Sequence, residues 1–205
     1  RCAPHDRYFY NNPAEMITGN IRVPVFSMRN KPLVTKHIHS MVLTWLRSNS
    51  DDDDIQKLKI IFPAYIKSYF AVSDMQGHVE YKNEPDDFSS LKHIIDKQLN
   101  GIVNYVTLNL TKNWPDDDRD EINPDFIRDT ILDMPDKLGG HIKNLFLEIN
   151  TYRNLLKPLR EKEILNAADR KRMDSLRYAL HSYHTESQDN YALSYLSVDG
   201  FFPSY

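Results

Sequence analysis

The chain has 205 residues, 40% of them apolar and 11% aromatic, with a formal net charge of −3. That size suits one folded domain with a substantial core, and the composition excludes an intrinsically disordered chain. The mild acidity excludes a protein whose whole surface grips nucleic acid. No window reaches the roughly 18 unbroken apolar residues of a membrane span, and a lone cysteine, Cys2, excludes an intrachain disulfide.

Pro4, Pro13, Pro24 and Pro32 interrupt the first part of the chain, which reads as an extended N-terminal arm over residues 1–31. From Pro32 the pattern turns helical, with Val34, Ile38, Val42, Trp45 and Leu46 on one face. The aspartates at 51–54 have the composition of a helix start, because carboxylates accept the free amides of a first turn and suit its positive dipole end. The helix they open carries Ile55, Leu58, Ile61 and Phe62, and Pro63 must kink or restart it. A small β-hairpin is expected near 70–82, with Phe70 and Val72 on one side of a Met75-Gln76-Gly77 turn and Val79 and Tyr81 on the other.

The strongest periodicity follows: Phe88, Leu91, Ile95, Leu99, Ile102, Val106 and Leu110, with Gly101 weakening its middle. Asn123-Pro124 begins another helix, with Ile127, Ile131 and Met134 inward. Gly139-Gly140 is expected to separate it from a helix bearing Ile142, Leu145, Phe146, Ile149, Tyr152 and Leu156. After Pro158 a last long helix is expected over roughly 161–184, with Leu165, Ala168, Met173, Leu176, Leu180 and Tyr183 inward. Residues 188–205 form a tail with Tyr191, Tyr195, Phe201, Phe202 and Tyr205, rings expected to pack on the domain over 32–187 or on a partner. The fold class is thus mainly α: an irregular bundle of about six helices, a hairpin and the arm.

Charge is unevenly spread. Residues 113–136 carry nine acidic groups against two basic ones, whereas residues 153–177 carry eight basic against four acidic. Four candidate chemistries follow from particular spacings. Asp116, Asp118 and Asp120 alternate like the first ligands of a calcium loop. Such a loop needs glycine at its sixth position and glutamate at its twelfth, and Glu121 and Ile127 stand there instead. Cys2, His5, His181 and His184 have zinc-ligand spacings, but only if the arm docks on the last helix. Glu80-Tyr81-Lys82 resembles half of a metal-dependent nuclease signature, with Asp74 too near to complete it. Nucleophilic triads, phosphate loops and dinucleotide fingerprints are absent, so neither cofactor nor catalytic residue is assigned.

The remaining lead is basic. Arg170, Asp174, Arg177, His181 and His184 follow three- and four-residue steps along one row of the last helix, with Lys171 beside it. In the plainest case this is a solvated face that Asp174 partly neutralises. The working function is a non-catalytic interaction or assembly module, with Arg170, Lys171, Arg177 and His181 as partner-binding residues. The partner is a protein, a second copy included. A nucleic-acid module using the 153–177 segment is the alternative, and a metal-dependent hydrolase comes third. No membrane association is expected. The cysteine count favours an intracellular protein, with a processed or secreted product left open.

Overall fold

The computed structural model describes residues 30–72, 79–81, 88–111, 122–183, 186 and 191–204. Nearly all of the predicted arm and the Met75-Gln76-Gly77 turn lie outside these residues, as do the aspartates at 116, 118 and 120. The described chain is mainly helical.

Helix starts follow local chemistry. At α1 (Lys31–Asn49) the Asn30 side chain accepts the Leu33 amide at 3.2 Å, and Pro32 sits in the first turn, where a missing N–H costs nothing. Val34, Ile38, Val42 and Leu46 are fully buried along its inner face. At α2 (Asp52–Ile61) the Asp51 carboxylate accepts the Asp54 amide at 2.9 Å. This helix ends ahead of Pro63, whose ring takes the space of the carbonyl four residues back. A 3₁₀ turn, Ile66–Tyr69, leads into β1 (Phe70–Val72), which pairs antiparallel with β2 (Val79–Tyr81), Ala71 facing Glu80. A pairing of three residues is too short to stand alone, so its stability depends on its neighbours.

The long helix α3 (Ser89–Thr111) organises the rest. It packs against α1, α2, α4 (Pro124–Leu132) and α5 (Met134–Arg160), and it buries Leu91, Ile95, Ile102, Val106 and Leu110. Gly101 lies where Trp45 crosses it. A Cβ there would come within 2.9 Å of the indole ring, so the glycine permits the close approach of α1.

Two helix ends differ from expectation. Gly139-Gly140 does not separate two helices; α5 runs through both, and the break lies at Asp133. Pro135 explains this, because its ring excludes the Ile131 carbonyl that a continuous helix would place there. Each glycine costs up to about 1 kcal/mol against alanine in a helix. Burial of Leu138, Ile142 and Leu145 on one stripe outweighs that. Nor does the last helix begin near 161. Pro158 lies within α5, which ends two residues later, and α6 spans Ala167–Ser182. Its start is a capping box: the Asn166 side chain accepts the Asp169 amide at 2.7 Å, and Asp169 accepts the Asn166 amide at 3.3 Å.

The expected inner face of α6 is also thinner than its spacing suggests. Leu176 is buried, Leu165, Met173, Leu180 and Tyr183 are half-buried, and Ala168 is exposed. The helix packs mainly on α5, so its apolar stripe meets chiefly one neighbour.

The chain then returns to the core. Tyr191 bridges to Tyr65, and the Ala192 amide donates to the Ala64 carbonyl at 3.0 Å as α7 (Ala192–Val198) begins. Gly200, at φ 91°, turns the chain in a conformation that a side chain would strain. Phe201 and Phe202 follow, buried against α1, α5 and the end of α2. No described helix is long and apolar enough to cross a membrane.

Candidate functional site

Arg170, Lys171, Arg177 and His181 all lie on α6 and are all exposed. Arg170, Asp174, Arg177 and His181 form one row at steps of four, three and four. None of them makes an ion pair with a described residue, Asp174 included, so the local neutralisation expected from Asp174 takes no close-contact form. Tyr178, 78% exposed, follows Arg177 directly, and Ile164, 81% exposed, lies ahead of the cap. His184 falls outside the described residues.

A polar anchor holds this helix from behind. The Tyr152 hydroxyl donates to Glu148 at 2.8 Å, and Tyr183 stacks on Tyr152 with centroids 6.5 Å apart. Burial and then the Glu148 charge push the Tyr183 hydroxyl well above its usual pKa, and Tyr195 is raised first by burial and then by Asp199. At the other end Lys162 pairs with Asp169 of the capping box, which holds that carboxyl below its usual range. The helix is therefore fixed at its two ends while its outer row stays open.

The opposite charge gathers on α4. Asp125, Asp129 and Asp133 are exposed at steps of four, with Asp136 exposed in the first turn of α5. None of the four makes an ion pair with a described residue.

A cleft of about 750 Å³ opens between α1, α3 and α4, lined in part by Trp45, Asp51, Asp96, Lys97 and Arg128. Lys97 bridges Asp51 at 2.7 Å and the buried Asp54 at 3.0 Å. The Asp51 hydrogen bond is the larger cause of its raised pKa, so this lysine holds its proton firmly. The Trp45 indole N–H is buried without a partner among the described residues.

Nothing in the spacing of the chain points to His39. It is 2% exposed, and its Nδ1 lies 2.9 Å from the Phe201 carbonyl. A carbonyl only accepts, so Nδ1 carries the proton. Nε2 is bare, buried and without a partner among the described residues. Burial lowers the pKa of this histidine to about 4, partly opposed by the Phe201 hydrogen bond and aided by Lys137 and His141. The ring stacks on Phe201 at 4.4 Å; His141, paired with Asp199, meets the edge of the same ring. The aromatic tail was the one available signal, and it names no partner across 162 residues.

No group of three or more metal-ligating side chains occurs among the described residues. Of the zinc set, His181 is exposed on α6, and Cys2, His5 and His184 lie outside the described residues, as does the side chain of Glu80. No family model, no curated protein and no solved structure matches this chain.

Proposed function

We propose that this chain is an interaction module, an irregular helical bundle over 32–187 with the tail packed on it, that docks an acidic protein surface on the outer face of α6. One observation carries the reading. The helix buries a single residue, Leu176, yet is capped and anchored at both ends, and its outer cations are committed to no partner among the described residues. An amphipathic helix normally hides a broader apolar stripe. Here its placement serves the outward side, where Arg170, Lys171, Arg177 and His181 stand beside exposed Tyr178. Guanidinium groups suit this role because their planar forks match carboxylates with two hydrogen bonds each.

Nucleic acid is the competing occupant, since the same row and an exposed ring suit phosphates and a stacked base. Titration of a synthetic helical peptide with glutamates on one face, set against duplex DNA of matched length, separates the two. The Arg170→Glu/Arg177→Glu variant is expected to weaken the peptide about tenfold or more, from the summed loss of several surface pairs. Tighter binding of the duplex, with a steep salt slope that the variant flattens, would assign the face to nucleic acid. Peptide binding that ignores the variant would remove α6 from the function.

A further inference from the structure

Two exposed rows of opposite charge stand far apart on this molecule. The acidic row of Asp125, Asp129 and Asp133 follows α4, and the basic row of Arg170, Arg177 and His181 follows α6. Among the described residues they do not pair with one another within a chain. The end of α6 meets α5 at Tyr152, with Tyr183 stacked on it. From Asp133 to even Glu148, one turn short of Tyr152, is about 22 Å of helical rise. Charges on a surface are largely screened beyond about 10 Å at 0.1 M salt. No ion pair among the described residues joins α4 to α6.

We propose that the α4 face of one copy is the acidic surface on which the α6 face of a second copy docks, so that the chain assembles head to tail. This rests on the reading of α6 as a protein-docking face and names its partner. The rows match in sign and are of comparable length: about 12 Å from Asp125 to Asp133, and about 16 Å from Arg170 to His181. Arg128, exposed beside the acidic row, and Asp174, within the basic one, are the minority charges on each face and offer a second pairing of the same polarity match. Because the two faces are different patches, the contact is heterologous. A docked pair keeps one free face of each kind, so growth continues with concentration.

Sedimentation of the full chain over a concentration series tests this. At about 50 mM salt the average mass rises with concentration, and at about 500 mM it returns to one copy. Two neutralised variants, Asp125→Asn/Asp129→Asn and Arg170→Gln/Arg177→Gln, change only exposed side chains, and circular dichroism checks their folding. Each alone is expected to associate at least tenfold more weakly than the parent chain. Mixed in equal amounts they form a 1:1 complex and nothing larger, because one complementary pair of faces survives between them. A parent chain that stays single at low salt, variants that assemble as well as it does, or a mixture that stays single would each overturn the proposal. If the parent chain stays single while the glutamate peptide still binds α6, the assembly falls and the docking reading stands. If neither occurs, both fall.

Discussion

His39 is neutral where it lies, and the consequence is a stability that depends on pH. Its folded pKa, about 4, is depressed from the ordinary 6.5. Above about pH 6.5 neither the folded nor the unfolded chain holds a proton there, and protonation of this residue costs nothing. Between 6.5 and 4 the unfolded chain takes a proton that the buried Nε2 refuses, so stability falls as the pH falls. The loss approaches roughly 3 kcal/mol by pH 4, since stability drops by about 1.4 kcal/mol for every pH step of one across that window. Urea midpoints at a series of pH values measure it. His39→Asn keeps a donor for the Phe201 carbonyl and cannot titrate, so its curve is expected to be flatter over that window. An equal slope in the variant would assign the effect to other histidines. At the same scale, two glycines inside helices are expected to respond with opposite sign. Gly140 has nothing within 4 Å of a Cβ, and Gly140→Ala is expected to stabilise by about 0.5–1 kcal/mol. Gly101→Ala places a methyl 2.9 Å from the Trp45 ring, which Tyr105 backs at 5.2 Å. The same helix gain is then outweighed by overpacking of about 1–3 kcal/mol. Thermal midpoints of the two variants moving in the same direction would refute the Trp45 contact as the cause.

Among the described helices, α6 buries the fewest residues, and it should open before the rest. Asn166→Ala removes one half of its capping box and is expected to cost about 1 kcal/mol. Leu176→Ala removes its one buried side chain and is expected to cost about 2–3 kcal/mol, the low end for leucine because the site sits at the margin. Both losses are expected as faster hydrogen exchange confined to α6, with protection of α3 unchanged. Helix starts were more legible in the sequence than helix ends, although the start of α6 was not. Asp51 and Asn123 announce their helices because a cap is satisfied within three residues, with no need of the tertiary fold. Asn166 carried the same signal, hidden by apolar spacing that ran on from Leu165. Glycine and proline mislead at ends, since their cost of about 1–3 kcal/mol is set against burial by distant partners. The basic row of α6 was readable from its spacing alone, whereas its lack of close ion pairs depends on side-chain placement that no spacing encodes. His39 and Phe201 were unreadable together because 162 residues separate donor from acceptor.

For the whole molecule, the segment after α7 is the closure on which the core depends. Phe201 is 1% exposed, stacked on His39 of α1 and met edge-on by His141 of α5. Phe202 reaches Phe62 at the end of α2, with centroids 6.1 Å apart, and crosses Phe201 at 4.8 Å. Two consecutive helices and a third distant from them in sequence therefore meet through two adjacent rings, and none of the three can lose them without exposing apolar surface on the others. Phe201→Ala is expected to cost about 3–5 kcal/mol, the usual loss for a buried phenylalanine. Against a total of about 5–15 kcal/mol for a typical domain, that is a large share. Its character should also differ from that of Leu176→Ala. Because the rings join α1, α2 and α5, exchange is expected to quicken across all three and across α3, which packs on each of them. The denaturation midpoint should fall with little change in slope, as in a transition that remains cooperative. Faster exchange limited to residues 191–204 would instead mean that the tail lies on a core complete without it, and that the two rings close nothing.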